Sequence, residues 1–254
     1  MKRKLFIDTG HSVKYPGASG FKSEVDWVRA IADKLEPLLD NTYWDVIRVP
    51  DTYPNETASI TLVRRVGWIN ANGTSNDVLI SIHANSDDNA SARGVEVCYM
   101  GGRKEDDLAV TVNLRTESLR LAMAYSRATG VPLHNGGTNA DVNSRFKDNT
   151  GQGRLGMVRD TKPLAFLIEC GFVSNKDDMS IDPSLAASGI ANYLNSYNHM
   201  PNHPNTQPDE TTLVLQELNK RQVIHDISNP NRPVTLAEVA LIVYRNDHLP
   251  KITQ

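Results

Sequence analysis

The chain has little cysteine, only Cys98 and Cys170 in 254 residues. They show no C-x-x-C spacing and are too few for a disulfide scaffold. Both fall in apolar, strand-like runs, where buried free thiols are common, so two inert reduced thiols are expected. Charge of one sign is not in excess either. The net charge is −3 with a pI near 6.2, and no long basic run occurs, so the electrostatic footprint of a nucleic-acid binder is missing. No stretch approaches the ~18 consecutive apolar residues of a membrane span. The start, MKRKLFIDTGH, has three apolar residues before Asp8, too short for the apolar core of a secretory signal. The expectation is synthesis in the cytoplasm, with no nucleic-acid partner and no membrane insertion.

Several catalytic signatures are missing too. There is no G-x-S-x-G elbow, no P-loop, no G-x-G-x-x-G opening a helix and no H-E-x-x-H. What remains is ordinary for a globular chain, 39% apolar and 22% charged. The length suits one full-sized domain with a small appendage.

Five strand-like runs stand out, at Leu5–Asp8, Trp44–Val49, Asp77–Ile82, Gly94–Tyr99 and Leu164–Ile168. Helical patterns lie at Phe21–Asp40, Thr57–Ala71, Asp106–Ala128 and Pro183–Tyr197. Pro37 should kink or end the first of these. The second has an apolar stripe through Ile60, Val63, Val66 and Ile69; the third has one through Leu108, Val112, Leu119 and Ala122. Strands alternating with helices predict an α/β fold, a mostly parallel twisted sheet flanked by helices. Residues 130–160 lack periodicity and read as a long loop. After Tyr197, NHMPNHPNTQPDE has the composition of a linker. Residues 210–254 then carry two helical patterns, Thr211–Lys220 and Thr235–Arg245, the second opened by a capping box of Thr235 and Glu238.

Three apolar runs end on polar residues: LFID on Thr9-Gly10-His11, LISI on His83-Ala84-Asn85, and AFLI on Glu169-Cys170-Gly171. In open α/β sheets the ligand crevice lies beyond the carboxyl ends of the strands. If these strands are neighbours, His11, His83 and Glu169 share one rim. Glu24 shares a helical stripe with Val28, Ile31 and Leu35, which places it at the core-facing side of a helix start. Each residue has a plain structural explanation by itself. A histidine can bond backbone, Glu24 can complement the helix dipole, and Glu169 can reach solvent at the Cys170-Gly171 turn. Together they match the composition of a known catalytic zinc set, two His and one Glu with an open fourth position, in which Glu169 would serve as proton acceptor for an activated water. Cys170 points away from Glu169 on a strand. His134, His199, His203, His225 and His248 are expected at the surface.

The motifs IDTGH at 7–11, Glu24, SIHAN at 81–85, RGVEVCY at 93–99 and LIECGFVSN at 167–175 occur in one order. In that order they resemble the zinc-dependent N-acetylmuramoyl-L-alanine amidases of the type 3 class, as does the helix with Arg65 and Asn70. The resemblance covers roughly residues 4–197 and implies a phosphorylase/hydrolase-like fold. It implies one zinc ion held by His11, Glu24 and His83, with Glu169 as the catalytic carboxylate. The implied partner is peptidoglycan, cut between N-acetylmuramic acid and L-alanine. Asn85 and Arg65 become supporting or substrate-binding candidates. GRLGMVRD at 153–160 resembles the family's stretch before the last strand and adds Leu155 and Gly156 as cleft residues. The expected organisation is a catalytic domain at 1–198, a linker at 199–209 and a small helical region at 210–254, for which wall binding and self-association are both open. The setting expected from the resemblance is a phage endolysin that reaches the wall after release. The alternatives are a bacterial autolysin, another zinc peptidase or amidohydrolase, and a non-catalytic wall-binding protein.

Overall fold

The computed structural model describes residues 2–12, 15–50, 61–101, 108–140 and 155–197. By its contacts the chain separates into Met1–Met200 and Pro201–Gln254. The second unit, the expected linker and both tail helices lie outside the described residues, as do His199, His203, His225 and His248. Among the described residues no helix is long and apolar enough to cross a membrane.

Six strands build one sheet: β1 (Arg3–Asp8), β2 (Trp44–Arg48), β3 (Val78–Asn85), β4 (Val95–Tyr99), β5 (Leu133–Ala140) and β6 (Leu164–Phe172). Their order is β2-β1-β3-β6-β4-β5. The run from β2 to β6 is parallel, β4 is antiparallel to β6, and β5 is parallel to β4. The helices are α1 (Glu24–Leu35), α2 (Leu62–Asn72), α3 (Leu108–Thr129), α4 (Gly156–Arg159), α5 (Lys176–Met179) and α6 (Pro183–Tyr197).

Period-two alternation sorts the strand residues onto two buried faces. Leu5, Ile7, Ile80, Ile82, Phe166 and Ile168 pack with Val28, Ile31 and Leu35 of α1, Leu121 and Tyr125 of α3, and Ile190 and Leu194 of α6. Phe6, Leu79, Cys98, Ala165 and Leu167 pack with Ile69 of α2 and Met157 and Val158 of α4. Each large apolar side chain buried this way contributes about 1.5–3 kcal/mol relative to exposure. The central strand β6 is covered on both sides, which is why LAFLIECGF reads as a nearly continuous apolar run.

The helix boundaries follow local chemistry. Helix α1 stops at Leu35, and the chain tightens into a 3-10 turn, Glu36–Leu38, that holds Pro37; proline has no N–H to continue the ladder. Thr61 caps α2 by accepting the Arg64 N–H.

Three expectations change. The segment read as a long loop contains β5, whose Asn135, Gly136 and Gly137 have φ of +49°, +74° and +86°. Pairing with β4 makes a strand where composition spells a turn, as β propensity yields to tertiary context. Helix α2 buries only part of the expected stripe: Ile69 is in the core and Val66 packs against it, but Val63 is exposed and Arg65 is buried, while Ile60 lies outside the described residues. Strand β6 runs on to Phe172, so Glu169 sits within a strand instead of at its end.

Candidate metal centre and active site

The parity that sorts the core also places the polar residues. Asp8 is in register with Ser81, His83 with Glu169, and Glu169 with Glu96. Side chains at in-register positions of neighbouring strands share a face. Asp8, Ser81, His83, Glu169 and Glu96 therefore form a band on the α2/α4 face.

Where the chain leaves β1, Gly10 and His11 both take positive φ, +41° and +38°. His11 is not glycine, so its left-handed conformation has to be held by its surroundings. Asp8 holds it. One carboxylate oxygen of Asp8 accepts from Ser81 Oγ at 2.6 Å and from the Gly10 N–H at 3.3 Å. The other accepts from Arg65 Nη1 at 2.8 Å, and the same guanidinium nitrogen reaches the His11 carbonyl at 3.5 Å. Asp8 and Arg65 are both buried, so an α2 arginine braces the turn that presents His11.

Glu24, the first residue of α1, is 2% exposed. Its Oε1 lies 3.0 Å from His11 Nε2 and 3.1 Å from His83 Nδ1, and accepts the Ala84 N–H at 3.1 Å. Its Oε2 accepts the Ala18 N–H at 2.9 Å. Burial by itself would raise the Glu24 pKa. Its hydrogen bonds to both histidines and the charge of His83 outweigh that and hold it well below the usual carboxylate range. For His83 burial pulls the pKa down. The Glu24 hydrogen bond and the negative charges of Glu169, Glu24 and Asp8 prevail and raise it. One donor atom from each of His11, Glu24 and His83 fits within 4.8 Å of the others.

Two glycines leave room for this arrangement. A Cβ on Gly10 would lie 2.6 Å from the His83 ring, and one on Gly17, at φ +76°, would strike Glu24 Oε2 and the His11 ring. The donor set of two imidazole nitrogens and one carboxylate oxygen, cradled by backbone with no side chain between, fits a zinc ion.

Glu169 stands one strand over from His83, near enough for its charge to act on the imidazole. Beyond it the β3–β6 register slips, since Asn85 pairs with Phe172. Gly171 takes φ +133° there. Asp178, fully buried, receives the N–H groups of Phe172 at 3.1 Å and Gly94 at 2.8 Å. Tyr125 OH donates to the Cys170 carbonyl at 2.7 Å. Cys170 itself faces the α1/α3/α6 core, and burial pushes its thiol pKa well up, so it is no nucleophile. Cys98 is likewise a buried free thiol.

Sequence patterns therefore reached the cluster and Glu169, and the structure brings these four residues together. Arg65 is near them but spends its charge on Asp8. Asn85 donates to Glu96 Oε1 at 3.4 Å, while its Oδ1 accepts the Ser86 N–H. Leu155 and Gly156 open α4, with Gly156 beside Leu62 of α2. His134 is half-buried, not a surface residue: its Nδ1 lies 3.1 Å from the Arg93 carbonyl, and its ring packs edgewise on Phe172. Asp8, Glu96, Asn135 and Tyr125 were not singled out from sequence. A buried-strand acid at the end of LFID signalled Asp8, and an acid inside VEVCY signalled Glu96. Nothing local marked Asn135 or Tyr125.

A family model of N-acetylmuramoyl-L-alanine amidases matches residues 5–186. No curated protein matches the chain in sequence. Among solved structures, the catalytic domain of CwlV, an N-acetylmuramoyl-L-alanine amidase from Bacillus (Paenibacillus) polymyxa var. colistinus, is similar over 77% of this chain and 98% of its own, at TM-score 0.57 and 24% identity. An N-acetylmuramoyl-L-alanine amidase from Clostridium difficile 630 is similar over 78% of this chain and 97% of its own, at TM-score 0.59 and 23% identity. The catalytic domain of the CD27L endolysin, which targets Clostridia difficile, is similar over 79% of this chain and 99% of its own, at TM-score 0.50 and 24% identity. At these identities the likeness is one of fold.

Proposed function

The chain belongs to the N-acetylmuramoyl-L-alanine amidase family, enzymes that act on peptidoglycan, and from that premise we propose that His11, Glu24 and His83 hold one zinc ion and that Glu169 is the catalytic carboxylate. The observation that carries this reading is the convergence of the three donor atoms within 4.8 Å, with Glu169 in register beside His83. Zinc bound there supplies Lewis acidity toward the scissile carbonyl and toward water.

The chain's own groups divide the remaining work. Glu24 is held anionic by its two histidine partners and two backbone N–H groups, so it arrives as a ready ligand with its position fixed. Ala18 and Ala84, from two different segments, lock its carboxylate plane. Glu169 takes a proton from water and returns it to the departing L-alanine nitrogen. Such acid–base work by a placed side chain is worth about 10²–10⁴ in rate. The apolar packing of β6 on both faces keeps that carboxylate on a rigid element. Asn85 borders the cleft, and Leu155 and Gly156 form its wall by α4. Arg65 acts through Asp8, keeping the His11 turn in place.

The experiment is digestion of purified peptidoglycan with detection of new amino termini on L-alanine. The wild-type protein should release them, lose that activity with a chelator and regain it with zinc. Glu169→Gln should keep full zinc content and fall at least a hundredfold in rate. A Glu169→Gln protein with unchanged turnover would remove Glu169 from its assigned role.

The setting proposed is a phage endolysin, with a bacterial autolysin of the same activity as the other reading; similarity to the CD27L endolysin domain supports the first and similarity to CwlV the second. Expression inside a susceptible host separates them. An endolysin leaves the culture intact until a pore-forming protein is co-expressed, then lyses it. Lysis without the pore would overturn that setting.

A further inference from the structure

Glu96 is a buried carboxylate that the zinc and proton chemistry does not use. It is 5% exposed and stands opposite Glu169 across β4 and β6. Two amides turn toward it. Asn85 Nδ2 donates to Oε1 at 3.4 Å, and Asn135 Nδ2 donates to Oε2 at 3.3 Å. Carboxylate oxygens accept, so each amide has to present its NH2 to Glu96 and its carbonyl oxygen away from it. The Asn85 oxygen is taken by the Ser86 N–H at 2.9 Å. The Asn135 oxygen is different. Asn135 is exposed, sits at φ +49° on the edge strand β5, and turns that oxygen away from its only partner among the described residues.

We propose that Asn135, aimed by Glu96, is a substrate-binding residue whose carbonyl oxygen accepts an amide N–H of the wall substrate. The inference rests on the amidase reading of the same site. Neighbouring strands lie about 4.8 Å apart, so the row His83, Glu169, Glu96 spans roughly 10 Å. An extended peptide covers that distance in about three residues. Asn135 thus meets the substrate a short way beyond the scissile bond, within reach of either the stem-peptide backbone or a sugar N-acetyl group. Both offer the same donor. Glu96 is a positioning residue: without its two acceptor oxygens the Asn135 amide is free to turn and offer NH2 where an acceptor is needed. The left-handed backbone of Asn135, which asparagine tolerates better than most residues, sets the direction from which that amide projects.

The test uses the full chain loaded with zinc, in a Glu169→Gln background so that ligand is bound and not cut. Titration calorimetry is run with a lactoyl tripeptide, which keeps the scissile amide but has no sugar, and, separately, with glycan strands stripped of stem peptides. Asn135→Ala should weaken one of the two by about five- to tenfold, the loss of one hydrogen bond. The ligand that weakens identifies the source of the N–H. In the active enzyme the same change should raise KM by that factor with kcat within about twofold and zinc content unchanged. Glu96→Gln has one acceptor oxygen in place of two and should reproduce the loss. Combining the two substitutions should add nothing further. Unchanged affinity for both ligands, a loss confined to kcat or zinc content, or a silent Glu96→Gln would each overturn the proposal. A parent enzyme that releases no L-alanine termini would sink the amidase reading instead, and the calorimetry would still decide the fate of Asn135.

Discussion

Arg65 Nη1 lies 2.8 Å from Asp8 Oδ1, and the same nitrogen reaches the His11 carbonyl. The pair is buried under the turn that carries a proposed zinc ligand, so its removal should register in two measurements. Arg65→Met leaves Asp8 buried without its cation, which typically costs 3–5 kcal/mol. It also frees the His11 turn, and loss of such a supporting contact lowers metal affinity about 10–100-fold. Denaturant unfolding of the metal-free protein and competition against a chelating dye measure the two effects. Lost stability with unchanged zinc affinity would mean that the bridge serves the fold alone.

Gly17 separates backbone cost from site cost. Gly17→Ala suffers a positive φ and also drives a methyl into Glu24 Oε2 and the His11 ring. Gly130 has nearly the same φ, +75° against +76°, with nothing within 4 Å of a built Cβ. Gly130→Ala should therefore cost about 1 kcal/mol and leave zinc binding alone. Gly17→Ala should lose most of its zinc by metal analysis. Equal zinc contents in the two variants would show that Gly17 is there for its backbone only.

The cluster was legible because its chemistry coincides with pattern breaks. His11 and His83 end apolar runs, and Glu24 interrupts the core-facing stripe of a helix, so each stands out within a few residues of sequence. Arg65 was reached only through the family resemblance; its burial hid inside a helix whose apolar spacing promised Val63 at the core, because the partner that draws Arg65 inward is 57 residues away. Strand β5 hid for the same reason. NGGTNA has the composition of a turn, and only the edge of β4 makes it a strand. What local periodicity records is which face is buried; what it omits is which distant polar group an inward-facing residue will meet.

Proton and metal compete for His83, and the signs of the shifts give a pH test. In the metal-free protein the His83 pKa is raised above 6.5. The stability it brings is complete below about 6.5 and is lost as pH rises through the raised value. Glu24 is shifted down from 4.5; its contribution is complete above 4.5 and fades only as pH falls below that. Metal-free protein should therefore melt higher at pH 6 than at pH 9. Zinc needs neutral histidine, so the melting-temperature gain on adding zinc should grow over the same interval. A zinc-induced gain that shrinks from pH 6 to pH 9 would contradict the assignment of His83 as a ligand.

Tyr125 tests whether Glu169 depends on the bend that follows it. Its hydroxyl donates to the Cys170 carbonyl at the point where β6 slips register and Gly171 turns to φ +133°. Tyr125→Phe leaves that buried carbonyl without the phenol, at a cost of about 1–3 kcal/mol. If the bond also fixes the direction of the neighbouring Glu169, kcat should fall about tenfold with zinc content intact, because small misplacements of a reacting group are expensive. Tyr193→Phe provides the comparison. Tyr193 is equally buried, donates to Glu117 Oε2 at 3.1 Å and packs on Phe166, three residues before Glu169. It should lose stability to a similar degree while keeping kcat, since nothing it touches bends the strand at the carboxylate. Stopped-flow or initial-rate measurement at saturating substrate, alongside melting curves, distinguishes the two variants. If kcat falls in both in proportion to stability, the Tyr125 bond has no special connection to Glu169.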